Sequence, residues 1–317
     1  MTSHSSKSKV LSASNRYAPS FLTALIFPCS ALFIMLLLSP SVSASLVREG
    51  LYLCAVTVVP ALFPFMALSE IIMGCLPRGR SKSHIFFAFF LGILCGAPVG
   101  AKCLSSLCSE GCISTEEYSR LLPLCNMPSA PFIISAVGEL TFGSRYLGMI
   151  LYLCCLASNI ICSVFIGWLF KKKSRPPREF NIAPPSDSHG DISAVSLFCG
   201  AVCSAAASVV NICAFITFFY TLVGILRAAV FFPPLLSPLF FGFFEMTGGV
   251  SVAPSAGNAG KYLAAGVLGW SGLSVHLQIA NVCRSPRPSF APYFLSKALS
   301  ALISPLTFFL FSYIVKL

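Results

Sequence analysis

The chain has 317 residues, 56% hydrophobic and only 10% charged, with a mean hydropathy of +0.85, whereas a globular domain carries about 25% charged residues. No charged exterior exists to cover that much apolar surface, so the surrounding medium is mostly lipid, which excludes a soluble enzyme, a disordered regulator and a DNA-binding domain. The net charge of +11 sits in short basic clusters between apolar runs; these read as topology markers and contacts to anionic lipid, not as a nucleic-acid surface.

Residues 1–20 are a polar, Ser-rich tail with Lys7, Lys9 and Arg16, read as cytoplasmic. The apolar run Phe21–Leu38 follows, and Val42-Ser43-Ala44 offers small residues for signal cleavage. The run is long for a signal peptide and further spans follow, so an uncleaved first span is the preferred reading. A helix of about 20 apolar residues crosses a bilayer, and Leu51–Cys75, Ile85–Cys108 and Leu147–Phe170 complete a first membrane half, 21–170. Within it, Ser114-Thr115-Glu116-Glu117 has the spacing of a capping box and predicts a short helix. The next stretch, Pro123 to Ile134, is too Pro-rich for a continuous helix and too apolar for a solvated loop. It predicts a re-entrant segment at 123–138, shielded by protein or lining a cavity.

Lys171-Lys172-Lys173 and the Pro- and Ser-rich residues after them form a predicted cytoplasmic linker, 171–191. The second half, 192–317, offers Val195–Val223, Leu235–Val252, Tyr262–Val282 and Tyr293–Val315. Val195–Val223 is either one tilted span or a hairpin turning near Asn211. The hairpin is favoured because it places Arg284 and Arg287 on the same side as the other basic clusters. The expected fold is an all-α polytopic membrane protein of eight to nine spans with broken or re-entrant helices. Glu70 to Lys102 is 32 positions and Glu245 to His276 is 31, which admits an inverted repeat as one reading.

Polar groups inside apolar runs carry the functional argument, because a charge in lipid costs several kcal/mol and normally faces a partner, cavity or pathway. Glu70, Lys102, Asn126, Glu245, His276 and Gln278 are the candidate solute-binding residues. Glu70 and Lys102 also lie near enough to span ends to reach the headgroups. Gly92, Gly96 and Gly100 recur every four residues, a spacing that lets helices touch, yet Pro98 between them removes a backbone donor and points to a broken helix. Gly96, Pro98, Gly100, Pro131, Gly248 and Gly272 are the expected break and packing positions. The fifteen cysteines lack a CxxC pair, and Cys103, Cys108 and Cys112 lack the partners of a metal centre. No metal, no cofactor and no catalytic motif is expected, so a membrane enzyme is the weakest reading.

The stretches Pro60–Glu70, Gly96–Lys102, Cys125-Asn126 through Pro131 to Gly138, Phe243–Gly249 and Gly272–Gln278 resemble the sporulation integral membrane protein YlbJ family. That family is grouped with nucleoside recognition (gate) domain proteins and is distantly similar to concentrative nucleoside transporters. The resemblance runs in order from about residue 50 to the C-terminus, with one extra residue between Asn126 and Pro131. It implies an integral membrane protein of a spore-forming bacterium, at the outer forespore membrane, passing dipicolinic acid during endospore formation. A dianion of that kind would be met by Lys102, a protonated His276 and opened backbone amides, oriented by Asn126 and Gln278, with Glu70 and Glu245 as counter-charges or proton carriers. The alternatives are a nucleoside-type permease, and a non-transporting scaffold or channel partner. The expected partners are thus an anionic or nucleoside-like solute, the lipid bilayer, and either further copies of the chain or other sporulation membrane proteins.

Overall fold

A computed structural model describes residues 19–75, 82–170 and 194–315. The predicted linker and all but the last two residues of the predicted tail lie outside the described residues. Every regular element described is helical. Two compact units divide the chain, one ending at Leu46 and one beginning at Val47. The first holds α1 (Pro19–Leu38) and the opening turns of α2 (Pro40–Leu53). Ser39-Pro40 separates them, because a residue before proline is driven out of the helical region while proline suits the first position of a new helix. Ser43 Oγ then donates to the carbonyls of Ser39 at 2.9 Å and Leu36 at 3.3 Å, satisfying acceptors that α1 leaves open.

In the second unit a π-helical turn, Cys54–Val58, leads into α3 (Val59–Cys75). The ring of Pro60 would strike the carbonyl of Val56 in a regular helix, and the widened turn relieves that clash. The hairpin arms α4 (Lys82–Cys95) and α5 (Val99–Ser109) follow, then α6 (Thr115–Leu121), a π-helical stretch Phe132–Thr141, and α7 (Arg145–Leu169). After the undescribed linker come α8 (Ala194–Ala229), α9 (Ser237–Phe244), α10 (Met246–Ser251) and a 3-10 segment Ala253–Ala259. Helices α11 (Gly260–Trp270), α12 (Leu273–Val282) and α13 (Ala291–Val315) complete the chain.

Among the described residues, five stretches are long and apolar enough to cross a membrane: Pro40–Cys75, Arg145–Leu169, Ala194–Ala229, Ala253–Val282 and Ala291–Ile314. Three expectations need correction. Val195–Val223 is part of one 36-residue helix; no proline interrupts it, and Asn211 alone cannot turn a helix whose neighbours all favour continuing. Ile85–Cys108 is two arms of 14 and 11 residues, neither long enough to span. Leu235–Val252 likewise falls into arms of 8 and 6 residues, parted at Glu245, whose backbone is extended.

The capping box forms as the spacing requires: Glu117 N donates to Ser114 Oγ at 3.1 Å and Ser114 N to Glu117 Oε2 at 2.8 Å. Helices α7 and α13 run antiparallel along a polar seam. Ser158 meets Ser304 at 2.6 Å, Ser163 meets Ser296 at 3.1 Å, and Thr307 donates to the Cys154 carbonyl at 3.3 Å. Interhelical hydrogen bonds of this kind in lipid contribute about 0.6–2 kcal/mol each. Helix α11 lies against α13 so closely that a Cβ on Gly269 would stand 2.5 Å from the Ser300 carbonyl, which accounts for the small residues at Gly266 and Gly269.

Candidate functional site

Residues 96–98 form the tip of a hairpin whose arms are α4 and α5. Gly96 takes φ +76° there, a left-handed value that favours glycine. The tip rests on an irregular stretch, 122–131, that parts α6 from the π-helical segment: Ala97 N donates to Met127 O at 2.9 Å. The four-residue glycine spacing is therefore not one helix face. A Cβ on Gly92 would lie 2.4 Å from the Cys125 carbonyl oxygen and one on Gly100 only 1.8 Å from it, so both arms clasp one peptide group. Asn126 completes the grip. Its Oδ1 accepts from Ala101 N at 3.0 Å, an orphan amide in the first turn of α5, while its Nδ2 donates to Leu122 O at 2.7 Å. Pro131 stands at the start of the helical stretch that follows, where a missing N–H is harmless.

A second hairpin is built from α9 and α10, with Glu245 at its tip. Its carboxylate caps α10, accepting from Thr247 N at 3.0 Å and Gly248 N at 2.6 Å. The arms touch at Gly249, where a Cβ would lie 2.3 Å from Gly242 Cα; Gly249, and not Gly248, is the tight position. This hairpin also rests on a broken helix. Ser271 and Gly272 interrupt α11 and α12 with φ of +76° and +83°, and a Cβ on Gly272 would stand 2.8 Å from Met246 N. The Trp270 indole lies parallel to the Phe243 ring and donates to the Phe243 carbonyl at 3.0 Å.

Both tips and both breaks meet at one small cavity of about 50 Å³. Ala97 lines it from the first tip, Pro128 and Ser129 from the first break, Glu245 and Thr247 from the second tip, and Ser271 and Gln278 from the second break. Ile212 and Ile216 of α8 close one wall. At that volume it holds a few waters in this conformation. Of the predicted residues, Glu245 and Gln278 line the cavity, and Asn126, two positions before the lining residue Pro128, is engaged in holding the first hairpin.

The predicted cations are elsewhere. Lys102 pairs with Glu70 and donates to Ser204 Oγ at 2.7 Å and Ser208 Oγ at 3.2 Å, so its three donors are satisfied and tie α5 to α3 and α8. That cluster lines a separate, half-open pocket of about 270 Å³ with Met66, Ser69 and Glu110. His276 is buried on the side of α12 away from the cavity. Its Nδ1 bonds the Tyr293 hydroxyl at 2.8 Å, its ring meets the Trp270 indole edge-on at 4.4 Å, and its Nε2 has no partner. The expected shared crevice for Glu245, His276 and Lys102 does not form, because Val275 and Gln278 of α12 face the cavity and His276, at about 100° per residue, points well away from the arc they share.

Sequence reasoning missed Ser129 and Ser271 at the breaks, and above all Lys297. Lys297 is 1% exposed and donates to Asn159 Oδ1 at 2.8 Å, while Asn159 Nδ2 donates to the Leu124 carbonyl at 3.1 Å. Ser296, Ser300 and Ser304 recur every four residues beside it, a polar stripe in an apolar helix that was the available signal. Among the described residues no group of three or more His, Cys, Asp or Glu side chains is placed to hold a metal ion.

With this geometry in hand, comparison with known proteins finds the sporulation integral membrane protein YlbJ of Bacillus subtilis (strain 168), 24% identical in an alignment 306 positions long, with 82% of this chain and 75% of that protein covered. The match supports assignment to the YlbJ family. It agrees with the resemblance to the YlbJ family read from the sequence. No family model matches the chain, and no solved structure matches it.

Proposed function

We propose that the protein is a permease that moves a small organic solute across the membrane during endospore formation, with dipicolinic acid at the outer forespore membrane as the candidate cargo. The observation that carries this reading is the convergence of two hairpin tips and two helix breaks on one cavity that holds Glu245, Gln278, Ser129 and Ser271. Backbone that leaves helical geometry at membrane depth is tolerated only where protein or a watery path shields it, and midplane breaks are where transporters hold solute. The membrane character, together with the sporulation role carried in the relative's name, supports the setting.

The two hairpin–broken helix–long helix series, 82–170 and 237–315, read as an inverted repeat. Ser289 N donates to Ser119 Oγ at 2.8 Å and Tyr118 Oη meets Cys283 Sγ at 2.8 Å, so the start of the first broken helix abuts the end of the second. The repeat differs from the one suggested by Glu70–Lys102 and Glu245–His276: the hairpin tip at 96–98 corresponds to Glu245, and the break at 122–131 to Ser271-Gly272. From Val47 onward this topology has six crossings and two re-entrant hairpins. Hairpin α9–α10, not a hairpin near Asn211, then accounts for Arg284 and Arg287 on the positive side.

Among the described residues no Lys, Arg or His lines the cavity, so a dicarboxylic cargo would pass in protonated form or accompanied by protons, beside the uncapped N-terminus of α12. The test is dipicolinate content of spores from a deletion strain alongside synthesis in the mother cell, followed by uptake into vesicles holding the purified protein. Normal synthesis with empty spores, plus uptake in vesicles, is the expected result; loaded spores refute the reading. A scaffold is the second reading, favoured by the internal pairing of Asn126, Lys102 and Glu245. It requires Glu245→Gln to leave spore loading intact, where the permease reading requires loading to fall.

A further inference from the structure

Lys297 is a lysine sealed inside a membrane bundle, and among the described residues no carboxylate pairs with it. Its neighbours are named easily. Helix α7 brings Asn159 and the thiols of Cys155 and Cys162, α12 brings His276, and α13 itself brings Tyr293 one turn earlier. Of the other helices packed on α13, α6 carries Tyr118, engaged with Cys283, and Glu117 and Arg120, which line a pocket with Leu124 and Ser163, while α11 carries Tyr262, which packs on Phe308 toward the other end of α13. An ammonium carries three donors, and here one acceptor, Asn159 Oδ1, is in place. A neutral amine, with a lone pair and two N–H bonds, is far less short of partners. Lys297 lines none of the central cavity, the Glu70–Lys102 pocket and the pocket at Glu117 and Arg120, and what its amine can exchange is a proton.

We infer that Lys297 is a proton-exchange site whose occupancy is transmitted through Asn159 to the first helix break. The amine lone pair takes a proton from a hydronium ion, leaving water, and returns it by the reverse step. Charging Nζ adds a donor and a charge where one acceptor is engaged, and the side chain that must answer is Asn159, whose other end holds the Leu124 carbonyl. That carbonyl begins the stretch whose Pro128 and Ser129 line the cavity. Proton binding at α13 thereby bears on the shape of the solute site, and this deepens the permease reading, on which its link to transport rests.

Trp270 is a built-in reporter, since its ring contacts His276 and the chain has only one other tryptophan, Trp168 on the exposed face of α7. In a Trp168→Phe protein held in lipid nanodiscs, Trp270 emission followed from about pH 5 to about pH 10 should show a step that Lys297→Gln removes and His276→Gln retains. A Lys297→Gln curve superimposable on its parent overturns the proposal; Lys297→Met replaces it if the Gln protein does not accumulate. In vesicles containing a pH-sensitive dye, dipicolinate entry should move protons in the parent and at least tenfold fewer per dipicolinate in Lys297→Gln. Entry without proton movement in the parent overturns the coupling. Absence of dipicolinate entry refutes the transport reading instead, and the Trp270 titration alone then decides Lys297.

Discussion

Each hairpin rests on a helix break, yet the two are held by different means. The first is gripped backbone to backbone, with the Cys125 carbonyl between Gly92 and Gly100 and Asn126 strapped to Ala101 N. The second rests largely through side chains, Val267 against Gly242 and Trp270 against Phe243, and meets its break by backbone at Gly272. Side-chain contacts re-form in shifted registers at small cost, whereas a clasped peptide group has one geometry. On these contacts the Glu245 hairpin is the one expected to shift more readily, while the first hairpin stays clasped to the Cys125 peptide.

The largest test of this contrast is Gly100→Ala. Its Cβ would fall 1.8 Å from a backbone oxygen, and the loss of stability should reach about 4 kcal/mol or more, read as collapse of monodisperse yield after detergent extraction. Asn126→Leu comes next: Ala101 N loses its acceptor, at about 1–3 kcal/mol, visible as a lower midpoint of thermal unfolding. Glu245→Gln keeps one amide acceptor at the α10 cap, so stability should change by only about 1 kcal/mol while vesicle uptake falls far more; equal loss of both would count against a mobile second hairpin. Lys102→Met should cost less than about 1 kcal/mol because the pair with Glu70 is 33% and 20% exposed. Gly248→Ala should be smallest, within about 0.5 kcal/mol, since the nearest atom to its Cβ is Glu245 Oε2 at 3.4 Å. Amide exchange should also run faster through 237–251 than through 85–109, and the reverse order would break the comparison outright.

Local chemistry was legible wherever a single residue type dictates geometry. The Ser114–Glu117 box, the interruption at Pro98 and the apolar spans at 147–170 and 293–315 all follow from short-range rules. What escaped was the pairing of distant pieces. Gly92 and Gly100 satisfy a helix-packing spacing equally well on one face or on two arms, and only the position of Cys125 separates those cases. Lys297 stands six residues inside its helix, where a flexible stem commonly reaches the headgroups; its burial depends on Asn159, far away in the chain. Residues 194–229 misled for the opposite reason, because charge counting demanded a reversal that the structure makes later, at Glu245.

Helix α8 has 36 residues, a rod of about 54 Å beside a hydrocarbon slab of about 30 Å. It must lean, or leave its ends outside the acyl region. Ile212 and Ile216 ride on that rod and line the cavity, so a thicker membrane, by standing the rod more upright, would slide its isoleucines relative to the breaks.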